Sequence, residues 1–238
     1  MDRTEFLAAI RSEGFERSGR KLTDWIERGL LASPDRSSDG HGVAADYTGN
    51  QLKLALDLLG KHRPGQDVDG LYNEPVAIWL FWHNQEIVPL EQAQRAWRSW
   101  AETRSRGGRS GIRGVRAASE LADQFQAAGV PKDVRNDLAR AFAAANTNGK
   151  LDLGEVRQSI GDDLLSRPQI RGMVRVLERK LAAIEHRDDL TDDDFYQARA
   201  EHLALMPPKY RQDNIEELVR SACYNLTTHL GDVYLSKT

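Results

Sequence analysis

The sequence predicts a mainly α protein, with a helix-turn-helix at the N-terminus and an all-helical domain at the C-terminus. Two observations predict it. Apolar residues recur three and four positions apart through most of the 238 residues, and Gly or Pro separates the periodic stretches. Strand-like alternation is scarce. From Leu71 to His83 both alternating sets are apolar, so period decides nothing there, and Glu74-Pro75 gives the stretch a helix start.

The first helix is predicted from Arg3 to Ser12, with Phe6, Leu7 and Ile10 on its apolar face. The turn E-G-F-E-R, Glu13 to Arg17, leads to a second helix within Ser18 to Leu31. Ser18 is its expected N-cap, because a hydroxyl accepts from the free N–H groups that open a helix. Gly29 is its expected stop, because glycine takes the left-handed conformation that closes one. Leu22, Trp25 and Ile26 share one face, and Arg20, Lys21, Asp24 and Arg28 fall on the others. Two short helices across a Gly-containing turn, the second opening with cations, form the arrangement that reads a DNA major groove.

The stretch R-K-L-T-D-W-I-E-R-G-L-L resembles the second helix of the MerR-like helix-turn-helix family, where an aromatic sits mid-helix and G-L-L follows. A-S-P-D-R-S-S-D-G-H-G-V-A-A-D, Ala32 to Asp46, is similar to the wing that comes next in that family, and any short strands belong there. Tyr47 then corresponds to the Tyr that precedes a third helix, here T-G-N-Q-L-K-L-A-L-D-L-L-G-K. I-W-L-F-W-H-N-Q-E-I-V-P-L-E-Q-A-Q-R-A-W resembles a segment that follows this domain in some bacterial regulators. The resemblance covers about the first 100 residues. It implies a winged helix-turn-helix and a bacterial DNA-binding transcriptional regulator that takes double-stranded DNA as its partner. Ser18 to Arg28 would then lie in the major groove, with Arg17, Arg20, Lys21 and Asp24 nearest base edges or phosphates. Arg36 and His41, the basic residues of the wing, would touch the flanking backbone. One short module reads few base pairs, so a homodimer spanning two half-sites is expected.

Charge qualifies the DNA reading. Met1 to His62 holds nine Lys/Arg against ten Asp/Glu, so the reading head carries no net positive charge. Lys and Arg contacts to phosphate supply most non-specific affinity, so this head alone should bind weakly. From Arg95 to Arg116, by contrast, there are seven Arg and one Glu, in a Gly/Ser-rich and therefore flexible setting. Arg104, Arg106 and Arg109 are its candidate DNA contacts. Two uses stay open, a segment that tracks phosphates or enters a minor groove and a solvated tether between domains.

Beyond it, helices are predicted from Ala117 to Ala128, Asp133 to Ala145, Pro168 to Glu185, Asp192 to Leu205 and Gln212 to His229. Gly129, Gly149, Pro207-Pro208 and Gly231 punctuate them. The expected division is therefore 1–102 for the helix-turn-helix and its following helices, 103–114 for an Arg/Gly-rich linker and 115–238 for a helical domain. Met173, Leu177, Leu181 and Ile184 give that domain a short apolar seam suited to dimerisation. Trp79, Trp82, Trp97 and Trp100 are expected core anchors, and His83 a packed, hydrogen-bonded core residue. Ala144 to Glu155 aligns with a calcium loop, but its first position is Ala144 where a carboxylate begins coordination, so a plain helix-loop-helix turn is expected. The acidic run Asp188 to Asp194 is expected to open a helix against its dipole rather than gather a metal.

Composition and motifs narrow the classes. No apolar run reaches the roughly 18 residues a membrane span needs. The start M-D-R-T-E has no signal pattern, and the single cysteine, Cys223, fits a reducing compartment, so a cytoplasmic protein is expected. No G-x-S-x-G, H-E-x-x-H, C-x-x-C or P-loop pattern occurs, and no catalytic residue, metal ligand or cofactor is assigned. The rival class is a protein-interaction or adaptor factor, such as a phage or plasmid accessory protein, whose helix-turn-helix contacts protein. A third reading makes the helical domain a sensor for a small-molecule effector.

Overall fold

The structure is a computed structural model describing residues 1–16, 18–38, 43–62, 68–105, 125–126, 128–138 and 153–237. It is mainly helical. The first half runs α1 (Arg3–Ser12), α2 (Gly19–Glu27), β1 (Asp35–Ser38), β2 (Val43–Asp46), α3 (Gly49–Lys61), α4 (Asn73–Ala77) and α5 (Leu90–Ser105). The second half carries a helical stretch at 132–138, then α6 (Leu153–Ile160), α7 (Asp162–Leu165), α8 (Pro168–Glu185), α9 (Asp192–Leu205), α10 (Tyr210–Asp213) and α11 (Ile215–Leu235). The chain forms two compact units, Met1–Trp100 with Thr191–Leu226, and Ala101–Leu190 with Thr227–Thr238.

Local chemistry sets the bounds of the early elements. The Asp2 carboxylate accepts from the Thr4 and Glu5 N–H groups at 2.6 and 2.9 Å, and Glu5 accepts in return from the Asp2 N–H at 2.9 Å. This reciprocal cap opens α1. The Ser18 hydroxyl accepts from the Lys21 N–H at 3.3 Å and opens α2. Gly29, at φ +75°, closes it: its N–H donates to the Ile26 carbonyl at 3.0 Å, and the Leu30 N–H donates to that of Trp25 at 2.9 Å. β1 and β2 pair antiparallel, Asp35 opposite Asp46 and Ser38 opposite Val43, inside the stretch where the sequence places its strands.

Two expectations for the aromatic stretch are corrected. Regular α-helix ends at Ala77 and gives way to a wider π-type turn over Ile78–Trp82, which stops at His83 with φ +49°. The wider turn shifts the residues that follow it out of the 3.6-residue register of the preceding helix. Trp79, Trp97 and Trp100 are buried as expected, but Trp82 is 44% exposed and His83 is exposed.

The unit boundaries also differ from a division at 102 and 115. α9, α10 and α11 as far as Leu226 belong with the N-terminal residues. Fully buried Phe195 of α9 explains why, since its ring lies 6.3 Å from Trp79 and 5.5 Å from Trp97, both edge-on. The Cys223 N–H donates to Asn73 Oδ1 at 3.0 Å, and Gln94 Nε2 donates to Asp192 at 2.8 Å. The acidic run opens α9, where the buried Asp194 carboxylate accepts from both the N–H and the hydroxyl of Thr191 at 2.9 Å.

The second unit packs Phe125, Val130, Leu138, Val156, Ile160, Ile170 and Val174 into one core. Met173 and Leu177 lie against it, so the first half of the apolar seam on α8 is used within the unit. Gly231 does not stop a helix, because α11 continues to Leu235. A Cβ at Gly231 would overlap the Arg179 carbonyl, so the glycine is what lets the α8 and α11 backbones approach. Gly231→Ala is expected to cost about 1–3 kcal/mol and lower the melting temperature. Gly172→Ala, on the exposed face of α8 with no atom within 4 Å, should instead stabilise by roughly 0.5–1 kcal/mol. Equal melting temperatures for the two variants would refute the close approach.

Candidate nucleic-acid interface

α2 is anchored on one side and polar on the other. Leu22 and Trp25 are buried and Ile26 is half-buried. From α1, Arg3 Nη2 donates to the Gly19 carbonyl and, at 2.9 Å, to the Thr23 hydroxyl, tying the start of α1 to the first turn of α2. The outward face carries Arg20, Thr23 and Glu27, all exposed or half-exposed, with Lys21, Asp24 and Arg28 at its edges.

Charges on that face partly satisfy one another. Arg28 Nε donates to Asp24 at 2.7 Å, and Lys21 Nζ lies 3.7 Å from the same carboxylate. Arg28 Nη1 also donates to the Tyr72 hydroxyl at 3.3 Å. The bond to Tyr72, and after it the bond to Asp24, outweigh partial burial and hold the guanidinium pKa above its ordinary value. Arg28 is therefore drawn back towards Tyr72. Among the described residues Arg20 has no ion-pair partner, which makes it the most available cation of α2.

The segments flanking the hairpin are fixed by a buried amide network. The Ala32 N–H donates to Gln51 Oε1 at 2.8 Å, Gln51 Nε2 donates to the Ile87 carbonyl and to Gln92 Oε1 at 3.0 Å, and Gln92 Nε2 donates to the Leu30 carbonyl at 3.0 Å. Just after β2, the Tyr47 N–H donates to the Met1 carbonyl at 2.8 Å and the Tyr47 ring packs 4.7 Å from Phe6. The residues leaving α2 and those entering α3 are thus both held.

Of the residues expected to contact DNA, Ser18, Arg20, Lys21, Asp24 and Arg28 share α2 and its caps. Arg36 stands in β1 opposite Ala45 and Arg104 in α5, with side chains outside the described residues. Arg17, His41, Arg106 and Arg109 lie outside the described residues, as do 144–152 of the calcium-like loop. Sequence reasoning missed Thr23, which its spacing of three from Arg20 could have revealed. It also missed Arg3, Tyr72, Gln51 and Gln92, which no local pattern marks. Among the described residues no group of three or more His, Cys, Asp or Glu side chains converges, and no helix is long and apolar enough to cross a membrane. Comparison with protein-family models, curated proteins and solved structures gives no match.

Proposed function

We propose that the chain is a DNA-binding transcriptional regulator of winged helix-turn-helix type, similar to MerR-like proteins, acting as a homodimer in the cytoplasm. The observation that carries this reading is the sequence of parts in one small unit. A capped helix turns Arg20, Thr23 and Glu27 outward with Lys21 at the edge of that face, a buried Trp25 backs it, and an antiparallel hairpin with anchored flanks follows directly. A helix of this size fits a major groove, and a hairpin beside it reaches the adjoining backbone. The Arg-rich segment around Arg104, Arg106 and Arg109 supplies the phosphate affinity that the reading head lacks.

A protein partner is the second reading, and Asp24 favours it. By pairing with both Lys21 and Arg28 it takes much of the positive charge from the face that would meet phosphates.

Mobility shift of the full chain against genomic fragments, at low and physiological salt, separates the two. For DNA binding, Arg20→Ala combined with Lys21→Ala should weaken the specific complex by about 1–3 kcal/mol for each base edge no longer bonded. Circular dichroism should stay unchanged, because both residues sit on the polar face of α2 and Ala favours helix. Undiminished affinity in a folded double variant, or no shifted fragment at all, would turn the conclusion to a protein partner.

A further inference from the structure

A cleft on the second unit, between α6, α7 and α8, carries chemistry that the reading of α2 leaves unused. Its volume is about 640 Å³, within the range of small-ligand sites. The floor is apolar, formed by Val174, 3% exposed, and partly buried Leu165. Three guanidiniums line it, Arg157 from α6 and Arg171 and Arg175 from α8, against two carboxylates, Asp162 and Glu178. Arg157 and Glu178 pair with each other and so offset their own charges. Arg171 and Arg175 are exposed and, among the described residues, have no acidic partner. Four residues apart on one helix, they project from the same face. Arg179, one turn further along, is instead held by Asp232.

Two neighbouring guanidiniums without counter-ions repel, and a dianion placed between them removes that repulsion while accepting their forked donors. We propose that this cleft binds a small phosphorylated organic molecule, its phosphate between Arg171 and Arg175 and its organic body over Val174 and Leu165. The concave shape of the cleft favours a small anion over an extended nucleic-acid backbone. The site does not depend on DNA binding by the first unit.

Phenyl phosphate serves as the probe, titrated into the full-length chain by calorimetry, with inorganic phosphate and a short DNA duplex as comparison arms. The expected result is saturable one-to-one binding of phenyl phosphate, at least fivefold tighter than inorganic phosphate. R171Q/R175Q should weaken it at least tenfold, and R179Q should change it less than twofold. In the unaltered chain the Nε–Hε resonances of Arg171 and Arg175 should shift during the titration, a readout that needs no variant to fold. Four outcomes would each overturn the site: no saturable binding, equal affinity for inorganic phosphate, an undiminished R171Q/R175Q complex, or static arginine resonances. Displacement of phenyl phosphate by the duplex at equal phosphate concentration would overturn the choice of a small ligand.

Discussion

Gly29→Ala is expected to be among the most destabilising single substitutions in the first unit, costing about 2–5 kcal/mol from two separate causes. The first is conformational: φ at Gly29 is +75°, a region that an L side chain enters only under strain. The second is steric, because a Cβ there would overlap the Ala96 backbone nitrogen and lie 2.7 Å from the Arg95 carbonyl carbon in α5. Neither obstacle can rotate away, since both belong to the backbone of a helix. Domains hold only about 5–15 kcal/mol in total, so urea unfolding followed by tryptophan fluorescence should show a markedly lower midpoint. Gly60→Ala is the matched control. It is exposed in α3, its added Cβ meets no atom within 4 Å, and it should stabilise by roughly 0.5–1 kcal/mol. Gly29→Asn separates the causes, because Asn tolerates the left-handed region yet still carries a Cβ. If Asn is as damaging as Ala, the approach to α5 dominates. A Gly29→Ala midpoint equal to the parent's would remove both arguments.

What the sequence made legible follows the range of the forces involved. Ser18 and Gly29 announced the limits of α2 because capping acts within one turn. Pro168–Glu185 and Asp192–Leu205 were readable end to end for the same reason, with Pro near the start of one and an acidic first turn opening the other. Coverage of the core was not readable. Trp79 and Phe195 stand more than a hundred residues apart, and neither carries a local sign of the other, so nothing in the sequence groups α9 with the N-terminal residues as the structure does. Gly231 shows a different gap. Glycine as a stop and glycine as a point of backbone contact look alike in a sequence, and only the neighbouring Arg179 carbonyl tells them apart. At the candidate interface, the set Arg20, Lys21, Asp24 and Arg28 was legible from helical spacing. The pull of Tyr72 on Arg28 was not, because it joins residues 44 apart.

Gln92→Leu should cost about 2–4 kcal/mol, since it leaves a buried carbonyl and a buried amide hydrogen without a partner. Gln92 is fully buried and Gln51 5% exposed, so water cannot replace the missing bonds. The orphaned groups are the Leu30 carbonyl and one N–H of Gln51, whose other bond to the Ile87 carbonyl survives. Gln51→Leu should cost a similar amount by freeing the Ala32 N–H as well. Because the two amides bond each other, the double variant should lose at least about 1 kcal/mol less than the sum of the single losses. Strict additivity would mean that the two amides act independently and that the network is a coincidence of packing. The same variants bear on the DNA reading, since Leu30 and Ala32 connect α2 to the hairpin. If groove and backbone contacts must be made together, freeing that connection should weaken specific DNA binding even below the unfolding temperature. Arg20 itself stays untouched in these variants. A folded Gln92→Leu protein that binds its fragment as tightly as the parent would show that the hairpin's anchorage is irrelevant to recognition.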